Sequence, residues 1–472
     1  MNLHRDILRL SVPSILANIT VPLVGMVDIA VAGHLGASGG IGAAALIGGI
    51  SIGSMLFDML YWNFGFLRGG TGGLTAQAYG RYHASSQEAS ATGVQEAETD
   101  IALTLKRALG IAIASGLALV ALQWVVVQVA FLLVECSPEV QALATQYFYI
   151  RIWAAPATLS LFAFKGWFIG MQDTVRPMIC DLLVNAVNIL LSIGLAFGYA
   201  GLPALGFAGV AYGTLIAQWT GFLYASIAVQ RRYGTFFRVR CEQKRPKLFS
   251  SKDQGWRAFF VLNRDLFLRS MCMIAVYIGF TMISARYGDM MLAVGAILMK
   301  LLMIFSYFTD GFAYAGEALT GRFIGEDSHD GVMSTIRQTF IWSLGVTGLF
   351  FLVYGVGGVP LLRLMTSDAN VVEAGREFIP WLLLMPVIGC PAFTWDGIFT
   401  GATASKDLRN STAWCVVGFF GVCFAGIGLA KALLGTVPET LAIHILMGAY
   451  FTHLAIRALY LTLRWRKAIP DA

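Results

Sequence analysis

Twelve times along this chain an apolar stretch runs long enough to cross a lipid bilayer, at 7–34, 42–77, 102–134, 139–172, 175–199, 205–230, 259–286, 289–323, 332–357, 371–402, 407–433 and 437–463. About 20 apolar residues suffice for a helix across hydrocarbon. In lipid every backbone group must find its hydrogen bond internally, and a helix does so within one segment. The expected fold is therefore an all-α polytopic membrane protein with twelve transmembrane helices. Composition agrees: 57% of the 472 residues are hydrophobic and 13% are charged, against about 25% charged in soluble domains.

The basic residues set the orientation. Arg5, Arg9, Arg81, Lys106, Arg107, Arg176, Lys406, Arg409, Arg464, Arg466 and Lys467 flank the spans on one side. The connection after the sixth span joins that side with Arg231, Arg232, Arg238, Arg240, Lys244, Arg245, Lys247, Lys252 and Arg257. The opposite side has Arg286, Arg363, Arg376 and Lys431. Short basic loops stay in the cytoplasm, so both termini and the central loop are expected there. The net charge of +6 is thus topogenic, and no nucleic-acid partner is expected. Asn2 to Arg9 is short and charged, and the first span outruns a signal h-region, so no cleavable leader is expected. The seven cysteines are scattered without a CxxC, which points to neither a disulfide framework nor a zinc site.

The basic loop divides the chain into expected bundles 1–230 and 259–472, joined by a linker at 231–258, and the bundles repeat one another. HRDILRLS (His4 to Ser11) matches NRDLFLRS (Asn263 to Ser270). GFLRGGTGGLTAQAYG (Gly65 to Gly80) matches DGFAYAGEALTGRFIG (Asp310 to Gly325). KGWFIGMQDTVR (Lys165 to Arg176) matches DGIFTGATASKDLR (Asp396 to Arg409) in its Gly-x-x-x-Gly and its basic end. Six spans per half is an even number, so the repeats are parallel, related by an axis along the membrane normal. A substrate path between such halves is the usual consequence.

Polar groups inside the spans are the candidate functional residues. The first span, LSVPSILANITVPLVGMVDIAVAGHL (Leu10 to Leu35), carries one acid, Asp28, and two helix-bending prolines, Pro13 and Pro22. An intramembrane acid is expensive and faces a partner or a watery cavity. Asn185, Asn188 and Ser192 follow at i, i+3 and i+7, one face of the fifth span, and Asn188 and Ser192 lie at depths that reach Asp28. Such a stripe hydrates a cavity, holds Asp28 by hydrogen bonds, or glues helices together. Asp181 lies nearer the inner end and reads as interfacial or packing. In the second half Arg269, Asp310, Glu317 and Asp396 fall at similar depth and are expected to form a polar cluster. Three acids to one arginine leave an acid in excess. Lys300 lies about 25 Å along the helix from Glu317, too far to pair with it.

No enzyme constellation is present: the six histidines are dispersed, with no HExxH, and there is no GxSxG elbow. GGTGG (Gly69 to Gly73) lacks the GK[ST] of a phosphate loop.

The combination of PLVGMVDIAVAGHLG, GFLRGGTGGLTAQAYG, RPM with Asn185 and Asn188, DGFAYAGEALTG and WDGIFTGATASKDLRNS resembles the multidrug and toxic compound extrusion (MATE) family, in its DNA-damage-inducible F (DinF) branch. The resemblance covers the whole chain. It implies two pseudo-symmetric six-helix bundles forming a V around a central cavity, with rocker-like alternating access. It implies export of small organic, often cationic, compounds against inward H⁺ or Na⁺, with no cofactor. The family's first-helix acid matches Asp28, and its helix bend matches Pro13. Some relatives carry an Asp on the fifth helix where this chain has Ser192, which removes a potential sodium ligand. Desolvation also disfavours the charged form of an acid in apolar surroundings. Protons are therefore expected ahead of sodium, with a sodium-coupled exporter and a lipid-linked precursor flippase as alternatives. The flippase would need several intramembrane cations, which the acids here match or outnumber. The expected setting is a monomer in the lipid bilayer of a bacterial inner (plasma) membrane.

Overall fold

The computed structural model describes residues 2–38, 42–134, 136–237, 254–366 and 368–469. Arg238, Arg240, Lys244, Arg245, Lys247 and Lys252 of the basic loop, and Cys241, lie outside the described residues. The elements are α1 (Leu3–Ser38), α2 (Ala43–Trp62), α3 (Phe66–Gln87), α4 (Ala91–Ala121), α5 (Gln123–Leu133), α6 (Pro138–Arg151), α7 (Ala155–Gly170), α8 (Val175–Phe197) and α9 (Phe207–Tyr233). They continue with α10 (Gln254–Ser284), α11 (Asp289–Gly325), α12 (His329–Met365), α13 (Ala369–Arg376), α14 (Ile379–Gly401), α15 (Ser405–Leu434) and α16 (Glu439–Ala468). Among the described residues there is no strand. Short 3₁₀ turns join α2 to α3 and α6 to α7, so each of these pairs makes one continuous rod.

Eleven of these rods are long and apolar enough to cross a membrane. The sixth expected span is α9, which is long enough at 27 residues but falls outside that set on hydropathy. Its composition explains the shortfall. Gly209, Gly213 and Gly221 let it approach α8 so closely that a Cβ at Gly213 would lie 2.6 Å from the Ser192 nitrogen. Small residues at a helix crossing give up hydrophobicity for backbone proximity, which is how helices pack where lipid removes the hydrophobic drive. Elsewhere the spans present bare apolar side chains: Leu132, Val356 and Leu364 are 80–86% exposed. Hydrocarbon solvates such a surface.

Contacts divide the chain into two compact units, Leu16–Phe259 and Met1–Ile15 with Phe260–Ala472. The first unit is cored by Phe57, Tyr61, Phe148 and Ile152, with Phe57 stacked on Phe148 at 4.8 Å between ring centres. A second cluster there surrounds Trp167, whose indole donates to the Ile101 carbonyl at 3.1 Å. The other unit is cored by Phe305, Tyr354, Leu382, Phe419 and Leu446. In it the Tyr354 hydroxyl donates to the Leu301 carbonyl at 2.6 Å.

The repeat seen in the sequence recurs as geometry inside each unit. A Cβ at Gly166 of α7 would collide with the Arg68 carbonyl of α3. One at Gly397 of α14 would collide with the Ala313 carbonyl of α11, the matching pair. One helical turn on, Gly170 packs on Gly72 and Gly401 on Glu317, again equivalent positions. Both crossing helices then stop identically. Gln172 and Thr403 have φ of 58° and 55°, and the next residues, Asp173 and Ala404, each donate to a carbonyl five residues back at 2.9 Å. This left-handed stop satisfies carbonyls that the helix end leaves bare. The α3–α4 and α11–α12 turns repeat it with Ala89 and Asp327, each followed by a serine cap, Ser90 or Ser328.

Candidate functional site

Helix α1 is unbroken from Leu3 to Ser38 through both prolines. A proline has no N–H to give the preceding turn, so the backbone around Pro13 and Pro22 is short of two helical hydrogen bonds. Between them the Thr20 hydroxyl donates to the Ala17 carbonyl at 2.7 Å and accepts from Asn185 Nδ2 of α8 at 2.8 Å. Asn185 therefore ties α8 to the proline-bearing part of α1.

Asp28, two turns further on, is buried at 4% exposure. Its Oδ1 has no hydrogen-bond partner among the described residues. The Ser192 hydroxyl of α8 is its hydrogen-bond neighbour and also lies 3.5 Å from the Val210 carbonyl of α9. A hydroxyl carries one proton, so Ser192 donates to one of these two at a time. Asn188, buried at 2%, donates through Nδ2 to Thr214 Oγ1 at 2.8 Å, and Thr214 donates to the same Val210 carbonyl at 3.2 Å. The carbonyl oxygen of Asn188, Oδ1, has no partner among the described residues. The three polar positions of α8 thus divide their work: Asn185 to α1, Asn188 to α9, and Ser192 between Asp28 and α9.

The group that the sequence reading passed over is Arg151, at the junction of α6 and α7. Its guanidinium donates to the Tyr147 hydroxyl at 3.0 Å and to Ser54 at 3.4 Å, and lies 4.7 Å from the Phe57 ring centre. It acts electrostatically on Asp28, Asp58 and Tyr61. Its signal in the sequence was an arginine well inside the fourth span, where a cation needs as much explanation as an acid. If Arg151 positions and balances Asp28, Arg151→Ala lowers efflux by about tenfold or more, the scale of one charge-assisted interaction. Arg151→Lys keeps most of it. Equal efflux by wild type and Arg151→Ala at matched protein levels in vesicles would refute that role.

Asp181, expected as interfacial or packing, pairs with Lys165 of α7 at 2.8 Å, with both side chains part-buried.

In the other unit Asp396 of α14 is clasped between two guanidiniums. Arg269 of α10 pairs with it, and so does Arg457 of α16, whose Nε donates to Oδ1 at 3.0 Å. Arg457 is 1% exposed and lies over the Phe393 ring at 5.6 Å. Asp310 acts electrostatically on Arg457. Glu317 is fully buried, roughly 10 Å further along α11, where its backbone carbonyl faces Gly401. The balance of one arginine against three acids is thereby corrected. Arg457 enters from the last span, too far along the chain for spacing to reveal it.

Comparison with known proteins follows the same lines. The MatE family model matches residues 13–193 and 266–425. The DNA damage-inducible protein F of Escherichia coli strain K12 is 32% identical over 460 residues, covering 97% of this chain and 91% of that protein. The probable multidrug resistance protein NorM of Thermotoga maritima is 23% identical, covering 93% and 89%. Among solved structures, the Vibrio cholerae MATE transporter VcmN in its bent form superposes with a TM-score of 0.78 at 18% identity, covering 99% of this chain and 97% of that one.

Proposed function

This chain belongs to the MatE family of transporters, and on that premise we propose that it exports small organic, often cationic, compounds by antiport with protons through alternating access. The observation that carries the reading is the buried Asp28 carboxylate, with one oxygen unpartnered and a serine hydroxyl that has two acceptors to choose between. Ionised, Asp28 only accepts hydrogen bonds and draws the Ser192 proton to itself. Protonated, it becomes a donor, and Ser192 is released to the Val210 carbonyl. Proton binding therefore rewires the contact between α1, α8 and α9. Asn185 ties the Pro22 region of α1 to α8 through Thr20, on the same helix pair as that contact. A substrate cation that favours ionised Asp28 and a proton that removes the charge compete for one state, and this reciprocal coupling is what antiport requires. The proposed setting is the bacterial plasma membrane with both termini cytoplasmic.

A sodium-coupled reading has its own support, because Asp28 Oδ1 and Asn188 Oδ1 are both oxygen acceptors without partners among the described residues. Hard cations take several oxygen ligands. Against it stands the Arg151 guanidinium, whose positive charge acts on the same carboxylate and repels a metal cation placed there. Purified protein in liposomes, loaded with a fluorescent organic cation and given one gradient at a time, separates the readings. Efflux is expected with ΔpH in sodium-free buffer and none with ΔNa⁺ at equal pH. The reverse result would replace the proton with sodium.

A further inference from the structure

Lys300 is an intramembrane cation that takes no part in the proposed antiport. It stands roughly 16 Å along α11 from Asp289, and its side chain is exposed. Lys165, Arg151, Arg269 and Arg457 all have acid or hydroxyl partners. Among the described residues the Lys300 ammonium has no hydrogen bond and no ion pair. A lysine inside a span is costly unless it reaches water or meets an anion.

Beside it opens a cavity of about 110 Å³ between α10 and α11. Its walls are Tyr277, Phe280, Thr281 and Ser284 on one side and Met299 on the other. The two aliphatic hydroxyls are already spent as donors: Thr281 gives its proton to the Tyr277 carbonyl at 3.1 Å, and Ser284 gives its own to the Met291 carbonyl at 3.5 Å. The ammonium is the one cation of this lining, and it sits at the edge of an aromatic and apolar chamber. The volume holds about four waters' worth of matter, enough for one charged head and a few carbons.

We infer that Lys300 and this cavity form a binding site for an amphiphilic organic anion, with one carboxylate, sulfonate or phosphate on an alkyl or aryl body. The ammonium holds the charged group while Tyr277, Phe280 and Met299 hold the first carbons. A free anion dissolved in the membrane and the headgroup of an anionic lipid offer the same chemistry. The site does not rest on proton coupling.

The test uses the full chain in phosphatidylcholine nanodiscs with 11-(dansylamino)undecanoate as the probe. Wild type binds the probe saturably. Lys300→Gln and Lys300→Glu raise Kd by at least about tenfold, the ratio expected for loss of a charge-assisted contact. Lys300→Arg stays close to wild type, and Ser284→Leu, which fills the cavity from the other helix, weakens binding without touching the charge. Melting temperature and efflux of a cationic dye are measured on each variant and stay at the wild-type level, so lost probe binding is not lost folding. Phosphatidylglycerol in the discs then identifies the occupant: displacement of the probe assigns the site to a lipid headgroup, and retention of the probe assigns it to a free anion. Wild-type probe affinity in Lys300→Glu overturns the site in either form.

Discussion

Asp28→Asn brings export down to the rate of empty vesicles, while the protein inserts and melts much as wild type does. The substitution keeps the size of the side chain, so packing around α1 and α8 is undisturbed. What it removes is the choice between two protonation states. The amide is permanently a neutral donor and acceptor, so Ser192 is permanently free for the Val210 carbonyl at 3.5 Å. Under the proposed coupling, the rewiring that links proton to substrate then cannot occur. A folded, locked transporter differs from a misfolded one, and the experiment has to tell them apart. The variant is expected at normal abundance in the membrane, with a melting temperature within a few degrees of wild type. Cells expressing it at that level and still resisting a cationic drug would show that the coupling acid lies elsewhere. Arg151→Ala belongs to the same series but is graded, because it alters the surroundings of Asp28 and leaves the proton site in place.

The other unit responds in the opposite way, with stability affected first and transport second. Asp396 is the single acid between the Arg269 and Arg457 guanidiniums, and Arg457 is 1% exposed. Asp396→Ala leaves two cations facing each other with no carboxylate between them. Removing one partner of a buried pair costs ~3–5 kcal/mol, mostly for the charge left behind. At ~2–4 °C per kcal/mol for a folding unit of about 150–250 residues, a fall of several degrees or more in melting temperature is expected. The double variant Asp396→Ala/Arg457→Met recovers part of that loss, since the stranded charge goes with its partner. Substrate binding to the folded fraction persists. A single variant that melts like wild type but no longer binds substrate would move the substrate site to this cluster.

The two halves of one repeat have thus arrived at different chemistry on the same frame. The glycine crossings at Gly166 and Gly397 and the left-handed stops at Gln172 and Thr403 are shared. Position 72 is a glycine in one half and its match, Glu317, is a buried acid in the other. The frame carries the packing, and the polar substitutions on it set what each unit does.

Sequence by itself determined the membrane, the helices and the duplication. Each follows from a local property: about 20 apolar residues span hydrocarbon wherever they occur, and a helix closes its own hydrogen bonds. Asp28 was also legible, because a lone acid in such a stretch stands out against its neighbours. The sixth expected span is present as a 27-residue helix, α9, whose glycines lower its hydropathy. The partners of Asp28 and Asp396 were a different matter. Ser192 was in view but its second acceptor, Val210, is a backbone carbonyl that no side-chain pattern announces. Arg151 reaches Asp28 from more than 120 positions away, and Arg457 reaches Asp396 across 61. Helical periodicity reports which residues share a face of one helix, and says nothing of which face another helix turns toward it. That depends on how closely backbones approach at Gly213, Gly166 and Gly397, and the approach is a property of the packed units alone.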